Sequence, residues 1–401
     1  MLCGVYACNS DELVKNDQKA PPIELTLKQA EKATADNRFA FKVFREVSAS
    51  SETPNTFFSP LSLNLALGML FNGAAGATSA EMVEVLGMTG FTDTEINEFY
   101  QKMSQALLNI DPKTEISIAN SIWYRDGFSV KQPFIDVNKK YFDAQVQALD
   151  FKKSDAAAII NKWCADKTKN RIKEIVKSPI PDNVMMYLIN ALYFKSKWLF
   201  EFDKKNTKQE DFTATGDRKV KVNLMEQTAS LPYYTDDNLQ CVEMPYGNQA
   251  FSMVVLLPAN ETNIDPLIAS LDNDKWVNVS KNLQTREVRL KLPRFKVECE
   301  IPLNEPLKDV GMKRIFDHTL AEFPNISNTP LFVSKVKQKT FVEVNEEGTE
   351  AAAVTAIEMM PTSIGPGTPV MFIANRPFLY LIKEKSTGTI LFIGRMDDPT
   401  K

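Results

Sequence analysis

The fold of this chain is decided by one stretch, Asn345-Glu346-Glu347-Gly348-Thr349-Glu350-Ala351-Ala352-Ala353-Val354-Thr355-Ala356. Its small residues and its lack of internal turn signals suit a solvated segment. As an extended chain, however, it alternates, and both following glutamates, Glu350 and Glu358, fall on one face. The other face carries no charge and consists of Thr349, Ala351, Ala353, Thr355, Ile357 and Met359. A segment that suits both a surface loop and a central strand is a candidate moving part.

The residues that follow this stretch disfavour regular structure. Pro361-Thr362-Ser363-Ile364-Gly365-Pro366-Gly367-Thr368-Pro369 contains three prolines and two glycines. Strand-like patterns resume at 370–374 and again at 378–382. An ordinary surface loop between two strands is one interpretation. The loop exceeds the ~12–15 residues beyond which a passive connection becomes uncommon, and this length favours a function.

These residues resemble a known family. The segment Asn345 to Ala353 resembles the hinge of a serpin reactive-centre loop, and Phe372-Ile373-Ala374-Asn375-Arg376-Pro377-Phe378-Leu379 resembles the signature beyond that loop. The resemblance extends from about Asn37 to Pro399, and the joint order of its motifs is more specific than any one of them. The further motifs are Asn55-Thr56-Phe57-Phe58-Ser59-Pro60-Leu61-Ser62, Gly73-Ala74-Ala75-Gly76-Ala77-Thr78, Asn190-Ala191-Leu192-Tyr193-Phe194-Lys195, Pro245-Tyr246 and Leu292-Pro293-Arg294-Phe295.

The resemblance implies an α+β serpin-like single domain over residues 26–401, with three β-sheets, about nine helices and an exposed reactive-centre loop at about 346–371. Composition agrees, because 401 residues with 44% hydrophobic side chains can bury a large core. Helical patterns come first and strand patterns later, which is typical of α+β proteins. No linker, repeat or low-complexity tract divides the chain. Residues 1–25 are interpreted as an N-terminal tail.

In function, the resemblance implies a suicide-substrate inhibitor of serine proteases, with cysteine proteases also allowed. A protease would cleave the loop, the freed segment would insert into the main sheet, and the covalent acyl-protease would be trapped. A non-inhibitory serpin that acts as a carrier or chaperone-like binding protein is the alternative. The implied hinge residues are Glu347, Gly348, Thr349, Glu350, Ala351, Ala352 and Ala353. The implied sheet-opening residues are Ser59, Ser62, Asn190 and Gln338, the last standing where many serpins have histidine.

Family spacing from Gly348 places the cleaved bond between Thr362 and Ser363. A small β-branched residue after Pro361 suits elastase-like or subtilisin-like enzymes. The window holds no arginine or lysine, which disfavours trypsin-like or thrombin-like targets. Alternative residues before the bond are Glu358, Met359 and Met360.

Enzymatic, metal and nucleic-acid functions find little support in the sequence. The only histidine is His318, which we interpret as a surface or capping residue, so a catalytic triad or a histidine metal site is disfavoured. No phosphate-binding glycine motif is present, and we expect no cofactor. The net charge of −4 is spread along the chain, which argues against a nucleic-acid partner. The segment Thr92 to Asp111 is acidic, so we expect no heparin binding, and we expect a monomer.

The N-terminus allows two interpretations. Val5-Tyr6-Ala7-Cys8 resembles the end of a bacterial lipoprotein signal, which predicts lipidation of Cys8 and an extracellular, cell-surface or periplasmic location. The alternative is an unstructured tail or an upstream truncation. The five cysteines are too sparse for a disulfide framework. Buried thiols are expected at Cys164, Cys241 and Cys299.

Local patterns also predict individual elements. Leu27 to Val47 reads as a helix that Thr26 caps, with Gln29 completing a capping box. Ser59-Pro60 suits the start of a second helix. Residues 156–176 are expected to form one helix whose exposed side carries a basic run. We interpret that run as a solvated face; it comprises Lys167, Lys169, Arg171, Lys173 and Lys177.

Overall fold

The computed structural model describes residues 19–259, 263–349 and 368–401 of the chain. The predictions for Cys8, for the bond at Thr362–Ser363 and its alternatives, and for Glu350 to Ala353 lie outside these residues. In the described part, nine α-helices are present. They are α1 (Leu27–Ser50), α2 (Pro60–Phe71), α3 (Gly76–Val85), α4 (Asp93–Asn109), α5 (Gln132–Phe142), α6 (Ala156–Lys167), α7 (Asp265–Ser270), α8 (Asn273–Lys281) and α9 (Asn304–Asp309).

The helix starts follow the local signals of the sequence. The Thr26 side chain accepts a hydrogen bond from the backbone N–H of Gln29, and the Gln29 side chain accepts one from Thr26, so the expected capping box is present. Ser59 caps α2, with Pro60 in the first turn. Each contact satisfies a backbone donor that has no partner inside the helix.

The helix predicted for residues 156–176 is too long. The helix α6 ends at Lys167, and the chain then turns through Lys169 and Asn170, whose φ angles are 50° and 63°. Such left-handed residues end a helix, and the N–H of Asn170 bonds to the carbonyl of Ala165 as the chain leaves it. The residues 168–185 that follow are called the strap below, since they cross one face of a sheet.

In the part of the chain that the structure describes, six strands form the sheet that carries the hinge. In chain order they are β2 (Glu115–Arg125), β3 (Gln145–Leu149), β4 (Met186–Lys197), β10 (Phe295–Pro302), β11 (Lys337–Asn345) and β12 (Gly348–Thr349). Their spatial order is β10-β11-β12-β4-β2-β3. The two-residue β12 therefore stands between two long strands, at the centre of the sheet.

The second sheet has nine strands within residues 19–259, 263–349 and 368–401. They are β1 (Thr56–Phe58), β5 (Lys208–Ala214), β6 (Arg218–Thr235), β7 (Leu239–Pro245), β8 (Phe251–Pro258), β9 (Gln284–Pro293), β13 (Val370–Ile373), β14 (Phe378–Glu384) and β15 (Ile390–Met396). The long strand β6 pairs with β9 through one part and with β7 through its end, so it joins two sections of this sheet. With the six-stranded sheet, these two sections account for the three sheets that were expected.

The six-stranded sheet is covered on both faces. Side chains of β4 alternate between two apolar clusters: Leu192 and Phe194 join the main core, which includes α2, whereas Ile189 and Ala191 join a smaller cluster with α6. This period of two is what a strand buried on both faces requires. The helix α2 therefore lies beneath the sheet, and α6 and the strap lie above it.

The three cysteines Cys164, Cys241 and Cys299 are buried free thiols, as expected. Burial raises the pKa of Cys164 to about 12 and that of Cys299 to about 11, so both stay protonated. Among the described residues, no helix is both long enough and apolar enough to cross a bilayer.

Candidate functional site

The hinge residues Gly348 and Thr349 form a strand that pairs on both sides. On one side Gly348 faces Lys197 and Thr349 faces Ser196, both in antiparallel register on β4. On the other side they face Asn345 and Val344 of β11. Gly348 and Thr349 of the candidate loop thus form a central strand, which is one of the two states that the alternating pattern allows.

The side chain of Thr349 points into the protein and is bound there. It is 2% exposed, and its hydroxyl oxygen lies 2.5 Å from that of Tyr246. Tyr246 is fully buried and stacks on Trp198 with ring centroids 4.4 Å apart. Burial raises the pKa of Tyr246 well above its ordinary value, so the phenol keeps its proton. The indole N–H of Trp198 in turn donates to the carbonyl of Asn345 at the turn between β11 and β12, at 2.9 Å.

Gly348 occupies a position that no other residue fits. Its φ is +155°, and a Cβ atom here would collide with the carbonyl oxygen of Ser196 and lie 2.7 Å from the Cα of Lys197. Both atoms belong to the backbone of β4, which cannot shift without disturbing the pairing of the strand. The missing side chain therefore lets the hinge enter between the strands.

Two acidic residues immediately before β12, Glu346 and Glu347, are held by ion pairs. Glu346 is 2% exposed, binds the guanidinium of Arg294 and accepts a 2.5 Å hydrogen bond from Thr207. Burial alone would raise the pKa of Glu346, but the bonds from Arg294 and Thr207 outweigh it and lower that pKa. Glu347 pairs with Lys204 at 2.5 Å. The chain entering β12 is therefore fixed in direction.

Below β12 the strands β4 and β11 separate. Among the described residues, the pairings of the sheet connect these two strands only through β12. The space between them, called the opening below, has a volume of about 850 Å³ and reaches α2 through Leu63 and Leu67. Two inner strand edges that the described residues leave unpaired can accept an added strand.

The four predicted sheet-opening residues lie at this opening, in two separate groups. The amide of Gln338 accepts from the N–H of Ser59 at 2.7 Å and donates to its carbonyl at 2.9 Å. The Ser59 hydroxyl also accepts from the N–H of Ser62. Across the opening, Asn190 donates to Asn120 at 2.8 Å, while its own amide oxygen is buried and has no hydrogen-bond partner in the described part of the chain. Ser62, Asn190 and Gln338 line the cavity directly.

The strap covers the opening from above. Its Arg171 guanidinium lies 4.7 Å from the ring of Phe341, and Glu174 lies 4.0 Å from Lys339, both on β11. The other attachments of the strap are to α6 and β2, on the opposite side of the opening. Asn161 of α6 binds the backbone of residues 175–176 through three hydrogen bonds, and Arg125 of β2 binds the carbonyls of Val184 and Pro181. The strap thus connects β11 with α6 and β2 across the opening.

The remaining sequence predictions concern residues away from this site. His318 is exposed and contacts Phe332 edge to face, as expected of a surface residue. In the described ranges, no group of histidine, cysteine, aspartate or glutamate side chains could hold a metal ion. Tyr246, Trp198 and Arg294 were not predicted as contacts of the hinge. Tyr246 and Arg294 stand in recognised motifs, but nothing in the sequence connects residues so distant from Thr349 to its side chain.

Comparison with known proteins shows which family shares this architecture. A family model described as Serpin (serine protease inhibitor) matches residues 34–399. Neuroserpin of Homo sapiens is 35% identical over 92% of this chain and 92% of its own. Iripin-2 of Ixodes ricinus is 33% identical over 92% of this chain and 94% of its own. The leukocyte elastase inhibitor of Xenopus laevis is 33% identical, covering 92% of this chain and 99% of the relative.

Solved structures agree with the sequence relatives. The thermophilic serpin tengpin in its native state superposes with a TM-score of 0.84 at 31% identity, over 95% of this chain and 97% of its own. Human thyroxine-binding globulin, solved with thyroxine, gives a TM-score of 0.84 at 26% identity, over 93% and 100%. The hinge, the opening and these likenesses agree: the chain belongs to the serpin family, whose members are mostly protease inhibitors and include some non-inhibitory proteins.

Proposed function

We propose that this chain is a suicide-substrate inhibitor of serine proteases, with elastase-like or subtilisin-like enzymes as its favoured targets and cysteine proteases also accepted. The observation that carries the proposal is the pairing of Gly348 and Thr349 with both β4 and β11. Strand addition at such a position needs only that the same segment continue between the same two strands.

The register of β12 defines that continuation. Each further residue of the segment would move one position back along both strands, so residues 350–359 would face β4 from Lys195 to Met186. On the same count, Thr355 would meet Asn190 on one side and Gln338 on the other. The amide oxygen of Asn190 has no hydrogen-bond partner among the residues that the structure describes, and it could accept from the Thr355 hydroxyl. The small side chains at Ala351 to Ala353 offer little bulk against entry.

The chemistry of the trap belongs to the protease. Its nucleophilic hydroxyl attacks the carbonyl carbon of Thr362, the Thr362–Ser363 bond breaks, and the amino group of Ser363 leaves with the proton. An ester then joins Thr362 to the protease, or a thioester if the nucleophile is cysteine. Insertion of residues 350–361 would carry the attached protease across the molecule and distort its active site before water can release it.

The free energy of insertion would come from added strand pairing and burial. Each added backbone hydrogen bond contributes roughly 0.5–1.5 kcal/mol net, and each large apolar side chain, such as Ile357 or Met359, roughly 1.5–3 kcal/mol. Ordering the segment costs entropy and lowers the total. In this proposal the chain acts as a substrate that traps the protease, and no catalytic group of this chain is used.

A gel experiment tests the proposal. The protein is mixed with pancreatic elastase and, in parallel, with subtilisin, and the products are separated under denaturing conditions and identified by mass spectrometry. A complex that survives denaturation, with a released peptide beginning at Ser363, is the expected result. A released peptide that begins after Glu358, Met359 or Met360 would show that the protease cleaves at that residue and not at Thr362–Ser363. Cleavage with no complex for any serine or cysteine protease tried would contradict inhibition and favour the carrier role.

The proposed setting is outside the cell, at the cell surface or in the periplasm, with the chain as a monomer. Lipidation at Cys8 would attach it to a membrane. Mass spectrometry of native material decides this, since an unlipidated, intact Met1 would contradict the attachment.

A further inference from the structure

The two sides of the opening differ in chemistry. On β11, Gln338, Thr340 and Val342 contact groups on the α2 side: Ser59, the Phe57 carbonyl and the main core. The odd-numbered residues instead face the strap, as the contacts of Lys339 with Glu174 and of Phe341 with Arg171 indicate. The opening therefore has an inner part above α2 and an outer rim beneath the strap.

The inner part is apolar and incompletely covered. Met186 and Leu188 of β4 and Leu331, Val333 and Val336 before β11 pack against the main core, yet each is only partly buried. Leu63 and Leu67 of α2 form the floor. The volume of the opening as a whole, about 850 Å³, lies within the roughly 300–1,000 Å³ that is usual for small-molecule pockets, which are mostly apolar with few polar groups.

The outer rim is positively charged. No aspartate or glutamate is among the described residues that line the opening. Four lysines line it, namely Lys177, Lys335, Lys337 and Lys339. Glu300 pairs with Lys337 and Lys339 from outside the lining, at 3.0 and 3.1 Å. Lys177 and Lys335 are exposed and have no ion-pair partner among the described residues. Within the described ranges, two cations therefore have no compensating charge at the mouth of an apolar chamber.

We propose that the opening binds an amphiphilic monoanion with one unbranched alkyl chain, of the fatty-acid class. The carboxylate would lie between Lys177 and Lys335 at the rim. The alkyl chain would pass between β4 and β11 and rest on Met186, Leu188 and the α2 floor. Such a ligand matches both parts of the opening, whereas a neutral apolar molecule leaves the lysines unused and a small anion leaves the chamber empty.

Binding of this ligand would regulate inhibition, a consequence that rests on the proposed function. The alkyl chain takes the place that residues 350–359 would need between the strands. A ligand that binds only the uninserted form opposes insertion by mass action. The occupied protein would then be cleaved as a substrate more often than it traps the protease.

Calorimetric titration with laurate, below its micellar concentration and without any protease, tests the site itself. We expect saturable binding of one laurate, and much weaker binding of dodecanol or acetate. The double variant Lys177→Ala, Lys335→Ala should lose affinity by at least about fivefold, because the charged head loses its partners. The matched control is Lys153→Ala, Lys173→Ala, which removes two exposed lysines that do not line the opening.

Methionine methyl NMR locates the ligand. Laurate should shift the methyl signal of Met186 and leave that of Met103, which is 1% exposed in the core, unchanged. Met186→Trp, which fills the chamber from a half-buried position, should abolish binding. Absence of laurate binding, dodecanol binding of equal strength, or unchanged affinity in either variant would overturn the proposal. Complex formation with a protease is measured in a separate experiment without laurate. If the chain proved not to inhibit proteases, the laurate-binding result could therefore still be interpreted.

Discussion

The hydroxyl groups of Tyr246 and Thr349 lie 2.5 Å apart, although 103 positions separate them in the chain. One belongs to a fully buried side chain that follows β7, and the other to the hinge. The contact holds the first inward-facing residue of the loop in the sheet.

Replacing Tyr246 by phenylalanine should therefore lower the free energy of unfolding by about 0.5–1.5 kcal/mol, the net value of one hydrogen bond. Urea unfolding measures it. Tyr380→Phe is the matched control, since the Tyr380 hydroxyl is equally buried but has no hydrogen-bond partner. Equal losses in the two variants would show that the contact with Thr349 adds nothing.

Gly348→Ala should expel the hinge from the sheet, since the added methyl group meets the backbone of Ser196 and Lys197. We expect a loss of more than about 1 kcal/mol in unfolding free energy, and faster proteolysis near the hinge. Gly127→Ala controls for backbone strain: its φ is also positive, at +79°, but nothing lies within 4 Å of the new atom. If both variants behave alike, the collision with β4 is not the cause.

Thr349→Arg should turn an inhibitor into a substrate, because a charged side chain cannot be buried at a position that is 2% exposed. The fraction of denaturant-resistant complex formed with elastase or subtilisin is expected to fall to nearly zero while cleavage continues. Thr349→Ser keeps the hydroxyl and should keep the complex. A stable complex with the arginine variant would refute loop insertion at this residue.

Arg294→Met should destabilise the protein by about 1–3 kcal/mol, since it leaves the Glu346 carboxylate buried with one partner fewer. Lys204→Met is the comparison: Lys204 is 58% exposed, so its pair with Glu347 should contribute about 1 kcal/mol or less. Chemical unfolding of both variants ranks the two pairs. The reverse ranking would mean that the Glu346 carboxylate stays solvated.

The ion pairs of Glu300 predict a dependence of stability on pH. Burial raises its pKa, but Lys337 and Lys339 outweigh it and lower that pKa from 4.5 to about 2. Because the folded-state pKa lies below the ordinary one, the stabilisation is complete above pH 4.5 and is lost as the pH falls towards 2. The stability difference between wild type and Glu300→Gln should shrink from about pH 6 to about pH 3. Glu298→Gln removes another exposed charge of β10 as the control, and a constant difference for Glu300→Gln would contradict the shift.

The sequence predicted the parts of this site that have local signals. The alternation after Asn345 predicted a segment able to join a sheet, the family resemblance identified that segment as the hinge, and Thr26 and Ser59 predicted helix starts. The end of α6 was missed, because an amphipathic pattern continues through residues that adopt left-handed angles. Tyr246, Trp198 and Arg294 could not be assigned to the hinge, since such contacts depend on how distant strands meet. The separation of β4 from β11 likewise leaves no trace in either strand alone.

The two-residue strand β12 has a kinetic consequence. When a segment inserts between two strands, the first pairings form slowly, because chain entropy is lost before many hydrogen bonds form. Here Gly348 and Thr349 have already made those first pairings. Insertion after cleavage would thus be propagation without nucleation, and the interval in which water could free a bound protease would be correspondingly short.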